Sequence, residues 1–341
     1  MRNQLGKTIS LGHGSGGKLS HELTGNLFVR YFNNEILAPQ TDSAIVKVNR
    51  ENLAFTTDSF VVDPLFFPGG DIGKLAVCGT VNDLAVSGAI PLFMSASFII
   101  EEGFGMDQLE TIVKSMAEES RMAGIKIVAG DTKVVDHGQC DKLFINTTGI
   151  GVIDPERIHI STGANIRYGD KIIVNGTVGD HGVAILSARE SLSFESKLET
   201  DCACLNHLIA DVLKKTDKIR FMRDATRGGL ATVLCELAAD KSFGIELDEV
   251  GIPVKEGVKG MCEIFGFDPL YMANEGKAVI VVAVEAAGDV VSLLRKDPIG
   301  KNCSVIGEIV EDHPGQVVLK TEIGGKRIVD MLAGEQLPRI C

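Results

Sequence analysis

The sequence predicts an α/β (α+β) protein of two domains, each a mixed sheet with packed helices, followed by a C-terminal tail. Three observations lead there. A chain of 341 residues is too long for one small core and suits two domains of ordinary size. Apolar residues make up 45% of it, mostly Val, Ile, Leu and Ala, alongside 38 Gly and no Trp. That mixture suits buried strands, helices packed on them and tight loops. Strand-like runs also alternate with helix-like stripes through both halves, joined by loops rich in Gly and Asp.

Residues 53–57 (LAFTT) and 143–150 (LFINTTGI) read as strands with two helical segments between them. The second of these has Asp107 as its cap and an apolar stripe of Leu109, Ile112, Val113, Met116 and Ala117. Gly124 is its stop. IKIV (125–128) follows as a strand that ends abruptly at Gly130 and Asp131. These elements make residues 1–155 the first domain. A turn-rich joint over 154–170 leads to a second, 165–329. It opens on a strand at 171–175, a helix after GDHG (179–182) and a longer helix near 202–215. Another helix begins near Gly228, and strands follow at 278–284, 304–310 and 316–320. Residues 330–341 (DMLAGEQLPRIC) lack periodicity and contain Gly and Pro, so they read as a mobile tail with a reach of ~40 Å.

With 34 basic against 46 acidic residues the net charge is −12, which gives no electrostatic footprint for nucleic acid or an anionic membrane. No stretch approaches the ~20 apolar residues of a membrane span, and the N-terminal residues lack a signal-peptide pattern. The eight cysteines lack framework spacing, so free thiols in a reducing cytoplasm are expected. Cys202, Cys204 and His207 have the C-x-C-x-x-H spacing of half a metal site. No second pair lies nearby in sequence, so no zinc site is expected.

GHGSGGKL (12–19) has the glycines of a phosphate loop, Gly14, Gly16 and Gly17 among them. Leu19 stands where a Walker loop needs Ser or Thr, and no convincing βαβ unit surrounds it, so a plain flexible loop remains the alternative. The acids say more. Asp42 lies in TDSAIV, Asp58 ends LAFTT, and Asp131 ends IKIVAGD. Asp83, beside Asn82, interrupts an apolar helix where an unpaired charge is costly. Each alone also reads as a cap or turn residue. Carboxylates converging from separate strand ends build an oxygen-rich magnesium site without a Walker loop. In RDATRGGL (223–230), Arg227 precedes a paired glycine and a helix, an arrangement suited to an anion or to a helix cap. GDHG with His181, and NEGK with Asn274 and Glu275, repeat that turn grammar. The last residue, Cys341, follows Pro338, Arg339 and Ile340, which makes an accessible tethered thiol.

Taken together, GHGSGGK, the run 57–91, GDTKVV (130–135), GDHG, RDATRGG, NEGK and the closing PRIC resemble the HypE family of hydrogenase maturation factors. The match runs in order through essentially the whole chain. PRIC is its most specific element. The resemblance implies a two-domain fold like that of aminoimidazole ribonucleotide synthetase, with N-terminal domains pairing in a homodimer and ATP near the domain interface. It implies a carbamoyl dehydratase, in which HypF loads a carbamoyl group on Cys341 and ATP with Mg2+ drives its dehydration to S-cyanate. The cyanide would pass to a HypC–HypD iron scaffold. By matching motif, Asp42, Asp58 and Asp131 become magnesium or phosphate-site acids, with Asn82, Asp83 and Gly130 beside them. Gly14, Gly16 and Gly17 would cover the phosphates, and Arg227 would face the anion. Lys133 would neutralise charge. Glu275 would take the amide proton, with Asp83 as its rival.

Overall fold

The computed structural model describes residues 17–29, 31, 35–36, 38–48, 51–190, 198–332, 334 and 337–341. Gly14 and Gly16 lie outside them.

The first half is a five-stranded sheet. β1 (Ala44–Val48) and β2 (Glu51–Phe60) form an antiparallel pair, and β2 continues to β7 (Leu143–Ile153) and β5 (Ala89–Glu101). β6 (Lys126–Val135) closes the far edge, parallel to β5. A two-stranded ribbon, β3 (Phe66–Phe67) and β4 (Gly70–Asp71), leads into a helix. β7 alternates strictly, with Leu143, Ile145, Thr147 and Ile153 buried on one face, as a pleated strand packed on one side requires. That face meets α2 (Ile72–Val86), which follows the short α1 (Lys18–Leu23). Asp71 caps α2, its carboxylate accepting from Gly73 N at 2.7 Å and Lys74 N at 3.0 Å. α2 is buried almost all round because its other side meets the second half of the chain.

α3 (Met106–Ala123) packs beside α2. Its N-cap is Gly105 rather than Asp107, which lies in the first turn, while Gly124 ends it at φ 74° as the sequence predicts. Ile112 and Met116 of the expected stripe face the core, whereas Val113 is 46% exposed. Two strands outrun their predicted ends. β2 continues past Asp58 to Phe60, and β6 continues through Gly130 and Asp131 to Val135, because pairing with β7 and β5 carries on beyond those residues.

The second half carries seven strands in the order β14-β13-β10-β12-β8-β11-β9. These are β8 (Lys171–Val174), β9 (Ile219–Asp224), β10 (Gly244–Asp248), β11 (Ala278–Val282), β12 (Ser304–Val310), β13 (Val317–Lys320) and β14 (Lys326–Val329). β11 is buried throughout: Val279 and Val281 enter one core, and Ala278, Ile280 and Val282 enter the other. The helices are α4 (Asp180–Arg189), α5 (Asn206–Lys215), α6 (Gly229–Ala238), α7 (Glu256–Phe265) and α8 (Val284–Leu294). α5 starts at Asn206, later than expected, because residues 201–205 are held as an extended loop by side chains from elsewhere. Among the described residues no helix is long and apolar enough to cross a membrane.

Candidate functional site

The acids gather where α2, β2 and the second half meet. Asp58 projects from β2 on the face that α2 covers, and Thr80 and Asp83, one turn apart on that helix, meet it. The Thr80 hydroxyl donates to Asp58 at 3.3 Å, and the Thr56 hydroxyl donates to Asp83 at 2.7 Å. The Asp58 carboxyl also repels that of Asp83, which helps to raise it. Asp42, just before β1, is held by Arg223 at 3.0 Å, and Arg223 also reaches Glu236 at 2.6 Å. Asp224, the last residue of β9, and Glu275, three residues before β11, complete the group from the second half.

Burial is the main cause that raises every one of these carboxyls, and repulsion from neighbouring acids adds to it for all but Asp58. Asp83, Asp224 and Glu275 are pushed well above the ordinary carboxylate range. Buried Glu275 Oε1 has no hydrogen-bond partner among the described residues. Arg227 supplies opposing charge. It sits on the turn before α6, where Gly228 and Gly229 take φ of 78° and 62°. That left-handed pair turns the chain sharply and leaves Arg227 in the field of Cys341, Asp58, Glu275 and Asp83.

Cys341 arrives here because the last residues are docked. Val61 N donates to Cys341 O at 3.0 Å and Asp63 N to Arg339 O at 3.2 Å, so the end of the chain pairs with the segment after β2. Arg339 Nε donates to Val61 O at 2.8 Å, and its guanidinium pairs with Asp141. Arg189 donates to Asp63 O at 2.5 Å and also to Arg339 O. Ile340 is 5% exposed and packs with the core of the first half. His181, fully buried on the first turn of α4, lies 2.7 Å from Ile340 O through Nε2 and 2.7 Å from Thr200 Oγ1 through Nδ1. A carbonyl only accepts, so Nε2 carries the hydrogen, and burial keeps the ring neutral by lowering its pKa. Burial also pushes the Cys341 thiol up to about 12, against the opposing pull of Arg227.

The remaining expectations fall elsewhere. Gly17 caps α1 and touches residue 332, where a Cβ would lie 2.3 Å from Leu332 O. Asn82 is committed to structure: its amide donates to Ala203 O at 3.0 Å and Glu275 O at 3.2 Å and accepts from Leu205 N at 2.7 Å. Gly130, Asp131 and Lys133 do not join the cluster within one chain. Asp58, Thr147, Ala96 and Gly130 align across the sheet, so β6 lies three strand spacings, about 14 Å, from β2. Asp131 and Lys133 also point to the outer face, pairing with each other at 2.7 Å. Asp131 therefore cannot share an ion with Asp42 and Asp58 of its own chain.

Sequence reasoning left His181 and Asp224 as turn residues and passed over Asp201 and Arg189. GDHG and RDATRGG flag the first two. Asp201 carries no local signal. It accepts from Glu275 N at 3.2 Å, Gly276 N at 3.1 Å and Lys277 Nζ at 2.9 Å, and so fixes the NEGK loop from far along the chain. A Cβ on Gly276 would stand 2.0 Å from Asp201 O, so only glycine allows this approach.

Residues 40–153 match the N-terminal domain of the AIR synthase related proteins, and residues 167–320 match the C-terminal domain. A carbamoyl dehydratase HypE of Rhodobacter capsulatus is 50% identical over 98% of this chain and 98% of its own. A crystal structure of HypE with ATP superposes with a TM-score of 0.82 at 46% identity, covering 98% of this chain and all of that one. HypE in a HypE–HypF complex gives 0.85 at 47% identity, over 91% and 99% of the two chains.

Proposed function

The chain belongs to the carbamoyl dehydratase HypE family, and on that premise we propose that it converts an S-carbamoyl group on its own Cys341 to an S-cyanate, using ATP. The observation that carries this reading is the docked tail, which brings the Cys341 thiol among Arg227, Glu275, Asp58 and Asp224.

In this reading HypF supplies the carbamoyl group, and the tail must leave its groove to receive it. On return, the backbone pairing at Val61 and Asp63 and the His181 bond to Ile340 fix the thiol's position. ATP supplies the phosphoryl group that turns the poor amide oxygen into a leaving group. Glu275 takes a proton from the carbamoyl nitrogen. Its raised pKa makes it a capable base once ionised, and its unpartnered Oε1 is free to accept. Asp83, which accepts from Thr56, is the weaker candidate for that role. Arg227 offsets the negative charge that builds beside Cys341.

The crowded, raised carboxyls and their all-oxygen donor set fit a hard divalent cation. Asp42, Asp58, Asp83 and Asp224 would hold magnesium, which would screen the phosphates. The outer face of the first sheet supports a homodimer. Phe55, Ile150 and Phe93 lie in register across it, and Phe55 and Phe93 are 45% and 44% exposed. A second copy over this face would also place Lys133 at the interface. Delivery of the cyanide to a HypC–HypD scaffold completes the reading.

The test is intact mass after incubation with HypF, carbamoyl phosphate and MgATP, beside a Cys341→Ala control. The carbamoylated protein is desalted before ATP is added back. A carbamoyl-sized gain that converts to a cyano-sized adduct on ATP addition is expected. An adduct that persists in Cys341→Ala, or none at all, would point instead to a kinase or synthetase acting on a free metabolite.

A further inference from the structure

The sequence offers Cys202 and Cys204 without a second pair, and the fold supplies the missing partners. Cys204 Sγ lies 3.5 Å from Cys78 Sγ, and Cys78 Sγ lies 3.9 Å from Glu119 Oε2. The ligand atoms of Cys78, Glu119 and Cys204 all lie within 4.8 Å of one another. Cys202, two residues before Cys204, lies beside Cys78 and outside that group, as the nearest further sulfur. These side chains come from α2, α3 and the loop before α5, on both sides of the junction between the halves.

We propose that Cys78, Cys202, Cys204 and Glu119 form a binding site for a soft divalent metal ion such as Zn2+, apart from the acidic cluster around Cys341. Tetrahedral zinc with bonds of about 2.3 Å to sulfur holds neighbouring sulfurs about 3.8 Å apart, close to the spacing found here. Zinc binding replaces the thiol protons, which pass to solvent as three S–Zn bonds form. Three thiolates, one carboxylate and a dication leave a net charge of −2. Lys74, 3.6 Å from Glu119, lies close enough to compensate part of it.

The surrounding contacts preorganise the set. Asn82 lies one helical turn beyond Cys78 and grips Ala203 O and Leu205 N, the groups flanking Cys204. Asn206 donates to Ala123 O at 2.8 Å, and His207 lies 2.8 Å from Met122 O, one turn beyond Glu119. His207 is thus a clamp, not a ligand.

The ion would also stiffen the site next door. Asp201 and Thr200, adjoining Cys202, hold the NEGK loop and His181 respectively, and His181 holds the tail. Metal at Cys202 and Cys204 would therefore fix the loop that positions Glu275.

The experiment uses the reduced, chelator-dialysed full chain in a Cys341→Ser background, so that the tail thiol cannot bind metal. Titration with Co2+ should give intense near-ultraviolet thiolate-to-cobalt absorption saturating at one ion per chain and bleached by equimolar Zn2+. Glu119→Gln should weaken binding at least about tenfold, and Cys78→Ser should abolish the band. Since Cys78 is fully buried, Cys204→Ser, at a half-buried position, serves as the second probe, with thermal melting to confirm folding. The assignment is overturned by absence of the band, by its survival in folded Cys204→Ser protein, or by a Cys78–Cys204 disulfide forming in place of metal uptake.

Discussion

Replacing Ile340 by Ala should loosen the tail without unfolding the protein. Ile340 is 5% exposed and lies next to the last residue of the chain, so its apolar contacts act on docking and little on the global fold. Truncation removes three carbon groups, worth about 0.8 kcal/mol each, or ~2.4 kcal/mol of transfer free energy. At 1.4 kcal/mol per factor of ten, the undocked population should rise ~50-fold, provided the docked form dominates. A docked Cys341 reacts slowly, because its thiol is pushed up to about 12 and is partly covered, whereas an undocked one reacts as an ordinary thiol. The assay is maleimide labelling at fixed pH, followed by peptide mass mapping to isolate Cys341 from the other seven cysteines. Labelling of Cys341 should accelerate by about the same ~50-fold, with the melting temperature unchanged. Dehydration should slow while carbamoyl loading does not, since loading needs the tail out and dehydration needs it in. A labelling rate within about twofold of the parent would refute the claim that Ile340 anchors the tail.

Three further outcomes follow from the same geometry. Glu275→Gln should slow dehydration by ~10²–10⁴ and leave loading intact, read as accumulation of the carbamoyl-sized adduct; rapid conversion would hand the base role to Asp83. Asn82→Ala should destabilise the protein by about 1–3 kcal/mol for each buried group left unpaired at Ala203, Glu275 and Leu205, measured by urea unfolding; an unchanged midpoint would deny the clamp. Because the folded pKa values of Asp83, Asp224 and Glu275 are raised, the folded state retains protons that the unfolded chain loses near pH 4. Their stabilisation is present below that pH and is lost as pH rises through the folded values. Neutral His181 contributes with the opposite sign below about pH 6.5, so the parent is compared with Asp224→Asn, which keeps that contribution. In chelator the melting temperature of Asp224→Asn should gain on the parent as pH rises from about 4, and Mg2+ should lessen the gain; no gain would count against the crowded-acid account.

The sequence by itself determined the class of fold, most of the elements and the motif set. Strict alternation in β7 and the glycine stop of α3 are local signals, readable because side-chain period and backbone conformation are decided within a few residues. Asp83 was likewise visible as an acid that its apolar helix does not suit, and Asp42, Asp58 and Glu275 as acids beside strands and in glycine turns. Ladder length was not visible: nothing near Asp58 or Asp131 shows that a neighbouring strand carries the pairing onward. Register then decided that Asp131 and Lys133 lie on the opposite face from Asp58, because a pleated strand sends successive side chains to opposite sides. Tertiary structure alone turned Asn82 from an expected phosphate neighbour into a clamp, and brought Cys78 to Cys204 across 126 residues of chain, with Glu119 between them in sequence. It also decided where Cys341 rests. Pairing between the end of a chain and a segment near residue 61 depends on complementary edges and burial across the whole fold, and no local pattern encodes it.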